Sequence, residues 1–206
     1  MRPNTALART YTAVLLALVL ASPAAARPRY AGSNGNVVQT SSIRIDNFGR
    51  VNLNYYRGAQ PNGRDYTDLA ALGVKTVINL TSDDAQTSEK SLTEHAGMRY
   101  VQIPMTTHQP PTPAQLTKFL KLVNDAANQP VYVHCVGGRH RTGVMTAAYR
   151  MTQDGWGADQ AFKEMKLYKF GADFLHPEFK QFVYGYHDNA HAVAAEAAVA
   201  TTKAGG

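Results

Sequence analysis

This sequence of 206 residues offers little for disulfide bonding or for membrane spanning. It contains one cysteine, Cys135, which cannot pair within its own chain, and one tryptophan. No apolar run reaches the ~20 residues that cross a bilayer, and the scattered basic residues give little support for a nucleic-acid groove. The remaining features, 44% apolar and 17% charged residues, are typical of one globular domain with a working core.

The first 26 residues have the three parts of a secretory signal peptide. Arg2 and Arg9 precede a short apolar segment over residues 13–21, and small residues allow cleavage near Ala26. A retained membrane anchor is the alternative, and the shortness of the apolar segment ranks it second. We therefore expect an exported protein, periplasmic or secreted, that has no stable membrane insertion after cleavage.

Four segments are predicted along the chain. They are the signal peptide over residues 1–26, a flexible leader over 27–36, a folded domain over 37–189, and an alanine-rich tail over 190–206 that is frayed or disordered. Cleavage removes two arginines and no acidic residue, so the formal charge falls from +6 to +4. This excess fits either a solvated surface or an anionic substrate.

Within the domain, predicted strands alternate with predicted helices. Short strands are expected between residues 37 and 56, followed by a loop over 57–61. Further strands are predicted over residues 74–80, 98–103 and 131–134. Helices are predicted over residues 64–72, 87–96, 142–151 and 158–168. Two more helices are expected to begin after Thr112 and after Pro177. This alternation predicts an α/β fold, with a central, mostly parallel sheet flanked by helices.

The segment from His134 to Gly143 combines a buried strand end, a glycine-bearing turn and a helix start. Cys135 follows the strand, where open α/β sheets usually bind ligands. Gly137 and Gly138 allow the backbone to curl with its N–H groups inward, and the helix N-terminus adds a positive dipole end. The sequence therefore predicts a nest for a tetrahedral dianion.

The same nest favours the thiolate of Cys135, which makes this residue a candidate nucleophile. Arg141 can hold two phosphate oxygens at once, and Thr142 Oγ1 can reach back to the sulfur. The imidazole of His134 is expected to order the loop by forming a hydrogen bond with a backbone group. The alternative is a buried cysteine beside a solvated arginine, which the combined spacing, glycines and helix context disfavour. The loop residues expected to contact substrate are Val136, Gly137, Gly138, Arg139 and His140.

The pattern His134-Cys135-x5-Arg141-Thr142-Gly143 resembles the signature of the protein tyrosine phosphatase superfamily. The stretches 56–61, 72–80 and 129–135 resemble the atypical dual-specificity phosphatases of plants and fungi and their bacterial exported relatives. This resemblance implies hydrolysis through a cysteinyl-phosphate on Cys135, with Arg141 binding phosphate and with no metal or other cofactor. It also implies that Gln60 supports the pocket, and we expect a monomer.

One departure from the superfamily pattern concerns the general acid. The loop over residues 103–111 contains no carboxylate where an aspartate is usual, so His108 becomes the candidate proton donor. A solvent-exposed loop histidine is the alternative. Asp83 and Asp84 are further candidates, although helix capping explains them as well. Without an acid, aryl phosphates and phosphoanhydrides would be better substrates than alkyl phosphates.

The substrate and two rival functions stay open at this point. Arg139 and His140 would add positive charge at the rim of the nest, which suits an inositol polyphosphate or pyrophosphate; a phosphotyrosyl protein is the competing substrate. A phosphate-binding module with little turnover and a sulfurtransferase are the alternatives to a phosphatase.

Overall fold

The computed structural model describes residues 43–82 and 85–186. The predicted signal peptide, the predicted leader, Asp83, Asp84 and the predicted tail lie outside the described residues. Within the described part of the chain, every helix is too short or too polar to cross a membrane.

A five-stranded sheet forms the centre of the fold, in the order β1-β2-β5-β3-β4. β1 is antiparallel to β2, and the other neighbouring pairs are parallel, so the predicted mostly parallel sheet is confirmed. The strands are β1 Gly49–Asn52, β2 Tyr55–Gly58, β3 Thr76–Asn79, β4 Arg99–Gln102 and β5 Val131–His134.

Helices follow the strands along the chain, largely where the sequence predicts them. They are α1 Asp65–Ala71, α2 Glu89–His95, α3 Pro113–Asn124, α4 Arg141–Gln153, α5 Ala158–Leu167, a 3-10 turn Asp173–Leu175 and α6 over residues 177–186. The start of α3 is fixed by a capping box, in which the Thr112 side chain accepts from the Gln115 N–H and the Gln115 side chain accepts from the Thr112 N–H.

Two boundaries near the first strands were predicted wrongly. Ile43–Ile45 is irregular rather than a strand. Arg57 and Gly58, predicted to lie in a loop, extend β2, because they pair in register with Val133 and His134 of β5. This pairing brings Arg57 beneath the cysteine loop.

Helices pack on both faces of the sheet and form two apolar cores. Val131 and Val133 of β5 point into a core shared with α3, α4, α5 and α6, while Tyr132 points into a second core with α1. All four residues of β5 are buried. Cys135 therefore extends from the central and fully buried strand, which gives it a rigid base.

Candidate active site

Cys135 lies where the carboxyl ends of three parallel strands meet. His134, the last residue of β5, pairs with Gly58 of β2 on one side and with Asn79 of β3 on the other. The Gln60 N–H donates to the Val136 carbonyl at 3.0 Å. The main chain of Gln60 thus holds the start of the cysteine loop, residues 135–140, from the neighbouring β2 side.

Gly138 is the position at which this loop turns. Its φ is +63°, and a Cβ added there would come within 2.3 Å of the Gly58 carbonyl carbon. The Gly138 carbonyl accepts from Arg57 Nη2 at 2.7 Å and from Asn47 Nδ2 at 2.9 Å. Because C=O and N–H of a trans peptide point in opposite directions, holding this carbonyl away from the nest turns the N–H of Arg139 into it. Arg57 and Asn47 therefore set the direction of the Arg139 N–H, one of the groups of the predicted anion nest.

Arg57 places a buried positive charge under the cysteine loop. Its side chain is fully buried, and its guanidinium lies 4.0 Å above the centre of the Tyr168 ring. Burial lowers the pKa of Arg57 from its usual value, while the nearby Cys135 acts in the opposite direction. Arginine keeps its charge in proteins, so this group favours an anion in the nest above it. The sequence prediction missed this role because it placed Arg57 in a loop rather than in β2.

Arg141 begins α4 and is almost completely buried. Its Nη1 donates to the Met105 carbonyl at 3.1 Å, and Ser82 Oγ donates to the same carbonyl at 3.0 Å. The candidate phosphate clamp is therefore held against the loop over residues 103–111. The start of α4 at Arg141 lies one residue before the helix predicted over 142–151.

Thr142 differs from its prediction. Its Oγ1 is buried and has no hydrogen-bond partner among the described residues, so the expected bond to the Cys135 sulfur is not formed. Thr142 already lies in the first turn of α4, where a β-branched side chain has few χ1 choices. An unpaired buried hydroxyl costs ~1–3 kcal/mol, which a ligand oxygen bound in the nest would offset.

His134 also has a different partner from the predicted backbone group. Its Nε2 lies 2.6 Å from Glu89 Oε1, and both side chains are fully buried. Asn79 Nδ2 donates to the other carboxylate oxygen at 2.5 Å. The strand end below Cys135 is thus tied to α2 through a buried carboxylate. No sequence signal indicates this contact, since a glutamate at a helix start normally faces solvent.

His140 faces protein rather than the rim. Its Nε2 donates to the Phe170 carbonyl at 3.0 Å, and its ring centre lies 3.8 Å from that of His176. Burial, followed by the neighbouring His176, lowers the pKa of His140. The predicted rim charge at His140 is therefore wrong, because burial favours the neutral imidazole. His108 is exposed, with its ring 6.0 Å from that of His176, which places it beside this group.

Arg139 does lie at the rim, with 46% of its side chain exposed. Asp46 is near both Arg139, at 3.9 Å, and Lys169, at 2.5 Å. The exposed rim thus carries two cations and one anion. Among the other predicted contacts, Val136 is exposed, Gly137 is partly exposed and Gly138 is buried.

Comparisons with known proteins identify the family to which this chain belongs. A family model described as "DSP-PTPase phosphatase fused to NAD+ Kinase" matches residues 19–183. The dual specificity protein phosphatase TpbA of Pseudomonas aeruginosa is 31% identical over 159 residues, which cover 77% of this chain and 71% of TpbA. The inositol diphosphatase SIW14 of Saccharomyces cerevisiae is 28% identical over 140 residues, which cover 66% of this chain and 50% of SIW14.

Solved structures show the same fold. The crystal structure of P. aeruginosa TpbA superposes with a TM-score of 0.63 at 28% identity, covering 73% of this chain and 91% of that one. The catalytic domain of the S. cerevisiae PP-IP phosphatase SIW14 gives a TM-score of 0.61 at 25% identity, covering 74% and 93%. The chain belongs to the DSP-PTPase family and is a cysteine-dependent phosphatase of the protein tyrosine phosphatase fold.

Proposed function

We propose that Cys135 attacks the phosphorus of a phosphoryl group held by the loop N–H groups and Arg141. As the S–P bond forms, the P–O bond to the leaving group breaks and the leaving oxygen takes up a proton. Water then attacks the cysteinyl-phosphate, the S–P bond breaks, and phosphate leaves with the thiolate restored. The supporting observation is the loop between β5 and α4, in which Arg57 donates to the Gly138 carbonyl and the buried Arg141 begins α4 and donates to Met105 of the facing loop.

The leaving group is proposed to be one that needs little protonation. The loop over residues 103–111 contains no carboxylate, and His108 is its only histidine. Aryl oxides and phosphates leave more readily than alkoxides, so a weak acid limits them less. We therefore assign His108 as a modest proton donor, used most with poor leaving groups.

The substrate is proposed to be a phosphoanhydride on a highly anionic molecule, such as an inositol pyrophosphate. Arg139 and Lys169 at the rim exceed the single charge of Asp46, which favours a polyanion. SIW14 carries the name of an inositol diphosphatase and TpbA that of a dual specificity protein phosphatase, so phosphotyrosyl peptide is the competing substrate.

Steady-state kinetics on three substrates tests this proposal. Wild type should hydrolyse para-nitrophenyl phosphate and have a higher kcat/KM on an inositol pyrophosphate than on a phosphotyrosyl peptide. Arg139→Gln should lower kcat/KM several-fold on the pyrophosphate, in the range of ~1 kcal/mol for an exposed charge pair, and leave the peptide rate nearly unchanged. A higher kcat/KM on the peptide would overturn the substrate assignment while leaving the phosphatase intact.

The nucleophile is tested separately by Cys135→Ser. This variant should lose at least ~10⁴-fold in kcat on every substrate, as expected for removal of a covalent catalyst. Equal rates in the two proteins would contradict the role of Cys135. Tight vanadate binding with negligible wild-type turnover would instead indicate a phosphate-binding module.

We also propose that the protein is exported after cleavage near Ala26 and acts as a monomer. The support for export is the Arg2–Ala26 segment with its short apolar run and small residues. N-terminal sequencing of the mature protein after cell fractionation should give Arg27 as the first residue outside the cytoplasm. Sedimentation of that mature protein should give the mass of one chain.

A further inference from the structure

Two histidines and one glutamate converge beside the cysteine loop. Donor atoms of His108, His176 and Glu178 all lie within 4.8 Å of one another. His108 comes from the loop before α3, whereas His176 and Glu178 come from the start of α6. We propose that these three side chains bind a Zn²⁺-like divalent cation, and that the bound ion inhibits the phosphatase; the inhibition rests on the proposed role of His108.

The donor set matches the metal. Two imidazoles and one carboxylate form the His₂Glu set of open zinc sites, which leave a fourth position for water. With bonds of ~2.0–2.2 Å, donors around a tetrahedral zinc lie ~3.3–3.5 Å apart. His176 Nδ1 and Glu178 Oε1 are already 3.3 Å apart. His108 is exposed on a loop, so its imidazole is the group that can close the remaining distance.

The proposed site is accessible to solvent, and His140 packs against one of its ligands. The side chains of His176 and Glu178 are 14% and 23% exposed, which leaves the pair accessible to an ion. The His140 ring packs against His176, and its Nε2 is engaged by the Phe170 carbonyl. The donor cluster does not include His140, so we assign this residue the role of orienting the His176 ring, as neighbouring groups commonly position metal-binding imidazoles.

Inhibition follows from the position of His108. A bound cation occupies the ring nitrogen lone pair that would otherwise carry the transferable proton. It also ties the loop over residues 103–111, whose Met105 carbonyl holds Arg141, to the start of α6. The ion thus acts on the proton donor and on the loop facing Arg141, without entering the anion nest.

Zinc binding should be measured on mature protein without a histidine tag, in a Cys135→Ser background. This background removes the only thiol, so any tight site that persists must use other donors. Competition with a chromogenic chelator should give one Zn²⁺ per chain. His176→Ala and Glu178→Gln should each weaken binding by ~100-fold or more. The controls His95→Ala and Glu94→Gln lie on α2, outside the donor cluster, and should not change it. Mg²⁺ should not compete, because it prefers oxygen donors.

Loss of zinc binding in Cys135→Ser alone would overturn the proposal, since the ion would then sit on the thiol. Equal affinity in all variants would overturn it as well. Unfolding midpoints from circular dichroism identify any variant that has lost its fold, and either of the two ligand variants suffices for the test. Because binding is measured in an inactive background, failure of the phosphatase assignment would not affect this result.

Inhibition of the phosphatase by the bound ion is tested in protein that retains Cys135. Zn²⁺ should reduce wild-type turnover, EDTA should restore it, and His176→Ala should need at least tenfold more Zn²⁺ for the same inhibition. Equal zinc sensitivity of wild type and His176→Ala would overturn inhibition through this site.

Discussion

The two loops that form the site are held in very different ways. The cysteine loop is fixed from below by Arg57, Asn47 and the Gln60 main chain. The facing loop over residues 103–111 carries an exposed His108, and Met105 contacts the clamp through its carbonyl. The proposed anion-binding loop is thus fixed to the sheet, while the proposed proton donation depends on an exposed segment. We expect changes below the cysteine loop to affect every substrate, and changes in the facing loop to affect only some.

The largest effect should come from Gly138→Ala, which disturbs the firmly held cysteine loop. The added Cβ would collide with the Gly58 carbonyl group in a left-handed backbone, so we expect a loss of ~2–5 kcal/mol in the free energy of unfolding and loss of activity. Gly155→Ala is the matched control, because its φ is +67° with no atom within 4 Å of the added Cβ. It should cost only ~1–2 kcal/mol. Equal midpoints in urea denaturation of the two variants would contradict the close packing at Gly138.

A smaller but general effect is expected from Arg57→Met, which removes the cation beneath the nest and keeps much of its volume. We predict a fall of ~10²-fold in kcat/KM on all substrates, the range reported for losing one preorganised donor. Alkylation of Cys135 by iodoacetamide at neutral pH should also slow, because the variant lacks the positive charge that stabilises negative charge at the loop. The exposed Arg50 provides the control variant Arg50→Met. An unchanged alkylation rate of Cys135 in Arg57→Met would contradict the electrostatic role of Arg57.

The smallest and most selective effect should come from His108→Ala in the exposed loop. Proton donation matters for alkoxide leaving groups, so alkyl phosphate hydrolysis should slow by ~10²-fold, the lower end for general acids. Hydrolysis of para-nitrophenyl phosphate should change little, and His95→Ala on α2 serves as the control. Assays should use chelated buffer, so that bound metal does not hide the difference. A uniform decrease across leaving groups would mean that His108 acts on structure instead.

The sequence was sufficient for the part of the site that is local. β5, Cys135, the loop glycines and the start of α4 follow one another within 11 residues, so propensity and spacing alone located them. The supports were missed because they come from far along the chain: Asn47 and Arg57 are 91 and 81 residues away from Gly138. Glu89 and His176 are also distant from the loop in sequence. They were missed because polar residues at helix starts have many ordinary explanations.

The predicted rim charge at His140 was a further error, and it has a physical cause. Arg139 and His140 are adjacent in sequence, yet Arg139 is exposed while the His140 ring packs on Phe170 and Phe179. Both residues lie in the irregular loop before α4, where no regular periodicity indicates which side chain faces solvent. Sequence alone could not decide which of the two faced solvent.

The central claim is that Cys135 becomes phosphorylated during turnover. Rapid acid quenching of wild type with an aryl phosphate, followed by peptide mass spectrometry, should find phosphate on the Cys135 peptide in a burst that equals the enzyme concentration. The same experiment on Cys135→Ser should find no phosphorylated peptide on the turnover timescale. Full turnover in wild type with no phosphate on Cys135, or with phosphate on His108 or His134, would contradict the account.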